Sequence, residues 1–221
     1  MRTVRIYGTA PNIRKTPPVP PNSGQEVWLA NSPTTFEKRF PRALGEWTHW
    51  FNLHSRAWML QTYPNGYAYL SHEAQGRPVY LQKAQPDIAS SVKFPRKEIQ
   101  EYFKTPNGKP NRYFTSSVCW LIALAIWQGF KRIELWGFKL SINKRRSGVC
   151  YAFERPAFFY WIQQARDRGI VVVYQREIER LPFEPGDPES YTGPLYGYST
   201  KPEPDWNAET ETWITEVCDE D

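Results

Sequence analysis

The sequence predicts an α/β fold: one domain with a mainly parallel sheet flanked by helices. Three observations lead there. Residues Tyr113 to Ser141 read as an apolar helix feeding a short strand. Several apolar β runs each end in small polar or ligand-type residues. Strands and helices then alternate with short polar crossovers, the pattern of a parallel sheet covered by helices.

The elements follow in order. Val4–Tyr7 is a β run entering the turn Gly8-Thr9-Ala10-Pro11-Asn12, and the proline-rich stretch from Thr16 to Gly24 is excluded from helix and reads as loop. Glu26–Ala30 is a second strand, ending at Asn31-Ser32-Pro33. Trp47–Leu53 is a third, ending at His54-Ser55. The segment from Arg56 to Gln100 is less regular. Arg77–Gln82 reads as a strand, Pro95–Phe103 as a short helix and Thr105–Asn111 as a turn-rich loop. The polar cluster Thr115, Ser116 and Ser117 then opens the apolar helix, Gly129 stops it, and Arg132–Trp136 is a strand running into Gly137. Lys139–Gly148 is a basic loop containing Lys144, Arg145 and Arg146. Arg155–Arg168 is a helix with Pro156 in its first turn, Gly169 ends it, and Ile170–Tyr174 is a last β run. These elements assign residues 1–181 to a nucleotide-binding α/β domain and 182–221 to a Pro/Gly-rich segment with an acidic tail. Right-handed crossovers align the strand ends Gly8, Asn31, His54 and Gly137 along one edge of the sheet, where open α/β sheets bind ligands.

Composition narrows the function classes. The net charge of +5 conceals a division. Pro202–Asp221 holds eight of the 23 acidic residues and no basic one. The rest therefore has 28 basic against 15 acidic residues, a net of +13. A body that basic attracts polyanions or phosphorylated substrates. Aromatics are 16% of residues, with ten Trp, a weak pointer to a sugar or base ligand. Cys119, Cys150 and Cys218 form no CxxC pair, so neither a disulfide framework nor a structural zinc site is expected. No apolar run reaches the roughly 20 residues of a membrane span, and the N-terminus lacks a secretory signal pattern. A cytoplasmic protein is the expectation.

The segments GTAPN, VWLANSP, FNLH, FTSSVCWLIALAIWQGFKRIELWGFKL and CYAFE, in this order, resemble bacterial sialyltransferases of the lipooligosaccharide type, glycosyltransferase family 42. They are similar as well to short tailed-phage proteins of uncharacterised function. The likeness spans roughly residues 4–175. It implies a Rossmann-like α/β transferase with a cytidine-nucleotide sugar as co-substrate, no cofactor and no obligatory metal. The acceptor it implies is a glycan, or nucleic acid in a viral relative. The family's glycine turn, its strand-ending asparagines, its Ser/Thr stretch and its later glycine turn fall on Gly8 to Asn12, Asn31, Asn52, Thr115 to Ser117 and Gly137-Phe138. There are departures: Val118 follows Ser117 where the family has glycine, Lys139 stands for its aspartate, and no histidine lies beyond His72 to serve as the family's base.

Glycosyl transfer needs a donor pocket, help for the departing phosphate and a base for the acceptor hydroxyl. Gly8, Thr9, Pro11, Asn12, Asn31, Ser32 and Asn52 are the pocket candidates, although turn and cap chemistry accounts for any one of them alone. Thr115, Ser116 and Ser117, with Gly137, Phe138 and Lys139, are candidates for the phosphate, since a helix N-terminus favours anions. The competing role for Thr115 or Ser116 is an ordinary N-cap. His54 is the candidate base, with Glu154 as the alternative and Tyr151 or Lys144 as a further phosphate donor. Two other functions fit the same residues. One is a non-catalytic basic module binding nucleotide or nucleic acid. The other is pyrophosphate transfer of the pterin diphosphokinase type, against which Lys139 counts, because it stands where an acidic metal ligand is needed.

Overall fold

The computed structural model describes residues 1–20, 23–31, 33–74, 76–138, 148–175, 186–189, 191 and 195. Seven strands form one sheet in the order β5-β4-β3-β2-β1-β6-β7, and every neighbouring pair is parallel. They are β1 (Thr3–Tyr7), β2 (Glu26–Ala30), β3 (His49–Asn52), β4 (Val79–Leu81), β5 (Ser91–Lys93), β6 (Arg132–Trp136) and β7 (Val171–Tyr174). The chain steps from β1 outward to β5, then returns across the sheet to lay β6 beside β1. That reversal puts a topological switch point between β1 and β6, the crevice where such sheets take ligands. The α/β expectation therefore holds, with a sheet wholly parallel among the described strands.

The helices form two layers. A short 3-10 turn at Pro11–Lys15, α1 (Pro33–Arg39), α2 (Arg42–Glu46), α3 (Arg56–Thr62) and α4 (Pro64–Glu73) lie on one face. There Phe36, Met59 and Leu70 pack on Tyr7, Leu29 and Trp50. On the other face α5 (Arg96–Tyr102), α6 (Ser117–Trp127) and α7 (Gly148–Arg166) cover Val4, Ile6, Trp28, Phe51 and Leu135. Strand residues alternate between the layers because successive side chains point to opposite faces. α6 is buried on every side from Ser117 to Ile126, the mark of a helix packed between sheet and other helices. No described helix is long and apolar enough to cross a membrane.

The structure corrects four expectations. Between β2 and β4 it forms α1 to α4, none of which the sequence reading anticipated, and β5 adds an edge strand. α7 begins at Gly148, so Pro156 lies inside the helix and not in its first turn. The aromatic excess goes largely into the core: Trp28, Trp47, Trp50, Trp120 and Trp161 are buried. The basic loop from Lys139, with Lys144, and nearly all of 182–221 lie outside the described residues.

The switch strands are pinned by charge. Arg5 and Glu134 stand opposite each other in the β1/β6 register. Both are almost fully buried, with Arg5 Nε 2.7 Å from Glu134 Oε2, an ion contact and not an aligned hydrogen bond. Arg5 also donates to the carbonyls of Pro17 and Pro18. The proline loop, which lacks internal partners, is thereby tied to the sheet.

Candidate functional site

At the switch point two glycine turns interlock. Gly8 donates its N–H to the Trp136 carbonyl at 2.8 Å, and Ala10 donates to the Gly137 carbonyl at 2.8 Å. The Gly137 N–H goes to Gln175 Oε1 at 3.0 Å. A Cβ on Gly8 would stand 2.6 Å from the Gly137 carbonyl oxygen, and one on Gly137 would meet the Gly8 carbonyl oxygen at 2.6 Å. Gly137 also has φ +74°, a backbone region that favours glycine. Both positions need glycine for close approach, and both N–H groups are engaged inside the protein. The Phe138 ring covers Gly8, and Arg39 donates to the Thr9 carbonyl.

One strand over, β2 ends at Asn31, a non-glycine residue with φ +74°, tolerated because a short amide side chain bonds locally. Its N–H donates to Phe51, its carbonyl accepts from Trp50 Nε1 at 2.9 Å, and its Oδ1 accepts from Ser117 Oγ at 3.2 Å. The side-chain NH2 makes no bond among the described residues. β2 thus delivers Asn31 to the first residue of α6.

The N-terminus of α6 departs from ordinary capping. Ser116 occupies the N-cap position in an extended conformation, but its side chain makes no bond to the first-turn amides. Its hydroxyl lies 3.3 Å from Cys119 Sγ, and Thr115 Oγ1 lies 3.9 Å from the same sulfur. Burial pushes the Cys119 thiol up to about 11, so it stays protonated. Glu154, on α7, is near enough for its charge to act on that thiol. Its own carboxyl is pushed up to about 8 by burial. Glu154 is half-buried by solvent exposure, yet the protein packed around it governs the shift.

On β3, Asn52 is buried and its Oδ1 accepts the His54 backbone N–H at 3.2 Å, a local turn contact. The His54 ring stacks on Trp58 with centroids 3.7 Å apart. Burial lowers its pKa to about 4, which leaves a weak base near neutrality. The structure therefore joins Asn31, Thr115, Ser116, Ser117 and Glu154 around one helix end. It gathers Gly8, Thr9, Gly137 and Phe138 at the switch point, and Asn52 with His54 at the next strand. Ser32 and Lys139 lie outside the described residues, as do the side chains of Pro11, Asn12 and Tyr151. Cys119 and Gln175 were not anticipated. Gln175 carries the signal used for the other strands, a polar residue just past a strand end, whereas Cys119 is masked by an apolar run.

No family model matches the chain, and no curated protein matches it. A solved structure of the sialyltransferase CstII from Campylobacter jejuni, in complex with a substrate analogue, cytidine-5'-monophosphate, aligns with 79% of this chain and 79% of its own at a TM-score of 0.47 and 16% identity. An alignment this loose leaves function to the site itself.

Proposed function

We propose that this chain is a glycosyltransferase that seats the phosphate of a nucleotide-sugar donor at the N-terminus of α6 and passes the sugar to a glycan or nucleic-acid hydroxyl. The observation that carries the reading is the helix end itself. α6 starts at the carboxyl edge of a parallel sheet, beside Asn31, with an N-cap serine whose side chain leaves the first-turn amides alone. Amides and helix dipole there favour an anion, and the spare Asn31 NH2 adds a donor. The basic body favours a polyanionic acceptor.

The chemistry asked of these residues is electrostatic. As the bond between the anomeric carbon and the phosphate oxygen breaks, the departing phosphate gains charge, which aligned N–H and O–H donors stabilise. That work needs no metal, and chelator treatment is expected to leave turnover unchanged. Titration calorimetry with CMP, CDP, UDP and GDP tests the reading: one of them binds, and binding by none overturns it. Binding without turnover of any sugar donor would instead make the chain a nucleotide-binding module.

A further inference from the structure

Glu154 is a group whose ionisation the fold opposes. It stands on α7, which packs against α6, and it has no hydrogen-bond or ion-pair partner among the described residues. An unpaired carboxylate surrounded by protein is costly, and such groups keep their proton instead. The ionisable groups around it supply no relief. From α6 comes Cys119, neutral at physiological pH. The segment entering α6 brings Tyr113, with Tyr191 packed on its ring, and burial raises both phenols. On α7 itself Arg155 is adjacent in sequence, and burial lowers its pKa. β7, also packed on α7, brings Tyr174, which lies against Arg166 at the far end of that helix. Burial remains the one cause of the Glu154 shift.

A carboxylate beside an anion site would repel the ligand, whereas a carboxylic acid donates to it. We infer that Glu154 is a protonated donor to the phosphate held at the N-terminus of α6, so that nucleotide binding there is linked to a proton on this side chain. The inference rests on the phosphate reading above. It assigns the site to ligands whose terminal phosphate is a dianion, because a full second charge is what a neutral acid accommodates and a carboxylate rejects. Bound phosphate further disfavours the ionised acid, so above about pH 8 each binding event takes up a proton.

The experiment uses the full chain and the tightest binder among CMP, CDP, UDP and GDP, titrated from pH 7 to 9.5 in buffers of different ionisation enthalpy. The phosphate is already a dianion in that range, its second pKa being about 6. Affinity is expected to fall about tenfold per pH unit above about 8, with uptake of up to about one proton. Glu154→Gln keeps a donor and is expected to bind with a flat pH profile and no uptake. Binding without proton uptake, or an unchanged slope in Glu154→Gln, overturns the inference and leaves the phosphate site standing. Failure of all four nucleotides to bind at any pH removes the site and the inference with it. The ligand-free protein gives a second readout: Glu154→Gln is expected to abolish a loss of stability as pH rises from the ordinary carboxylate range to about 8. Equal pH dependence of melting in both proteins overturns the buried acid.

Discussion

The two ends of β2 carry polar clusters built on opposite plans. At its start, Glu26 takes Arg2 on Oε1 at 2.9 Å and Trp28 Nε1 on Oε2 at 2.9 Å, with His49 Nδ1 at 3.4 Å. Arg2 also donates to the Gln128 carbonyl and lies over the Phe130 ring. Thr48 bonds His49, whose ring stacks on Tyr80. Every member has an internal partner. At the other end of the strand, Asn31 keeps an amide in reserve, Ser116 leaves α6 uncapped by its side chain, and Glu154 holds a proton without a partner. Self-satisfied polar groups hold a sheet edge together. Groups left short at the carboxyl edge are what a ligand would complete.

The strongest way to break the comparison is to disturb the frame that keeps both ends aligned. Gly137→Ala forces a side chain into φ +74° and against the Gly8 carbonyl oxygen. The backbone strain alone is roughly 1–3 kcal/mol, and overpacking adds about 1–3 kcal/mol. Urea unfolding should show a loss in that combined range; a loss near zero would mean that the interlocked turns do not hold β1 to β6. Next in size, Glu26→Gln removes the charge that Arg2 and Trp28 share. Because Arg2 is half exposed, a loss of only about 1 kcal/mol is expected after solvent screening. Nucleotide affinity should stay constant, and a weakened affinity would show that the amino-end cluster communicates with the site.

Replacing Ser116 and Ser117 together by Ala probes the opposite end. Each neutral hydrogen bond lost to a ligand costs about 0.5–1.5 kcal/mol, and more to a charged phosphate. Affinity should drop while the melting temperature barely moves, since Ser116 caps nothing with its side chain. A destabilised variant with normal nucleotide affinity would return these serines to a structural role.

Much of the frame was legible in the sequence because β1, β2, β3, β4, β6, β7 and α6 are apolar runs bounded by Gly, Pro or Asn. α1 to α4 were not: they are short, broken by polar residues, and two of them start on prolines that read as loop, Pro33 and Pro64. β5 is Ser-Val-Lys, with no apolar run to mark it. At the site, Asn31 and Ser117 were each visible as ends of elements. Their contact was not, because it spans 86 residues and depends on the chain crossing the sheet between β5 and β6. The environment of Glu154 was hidden for the same reason: burial among residues distant in sequence sets its proton affinity, and the tripeptide around it does not.

The smallest effect expected is a difference in the sign of pH dependence between the two ends. Burial lowers the His49 pKa, partly offset by the Glu26 charge. A histidine with a depressed folded value contributes stability that is present above its unfolded pKa of about 6.5 and lost as pH falls below it. Glu154 runs the other way, its contribution being present in acid and lost as pH rises to about 8. His54 shares the sign of His49, with a folded value of about 4, so single variants are needed to separate the groups. Melting curves of His49→Gln and His54→Gln between pH 4 and 7 should each be flatter than wild type, by more for His54, whose burial has no neighbouring carboxylate to offset it. Glu154→Gln should leave that histidine-driven acid loss in place and flatten the curve toward pH 8. If His49→Gln instead flattened the alkaline side, the amino-end cluster would not be the self-satisfied structural group its contacts describe.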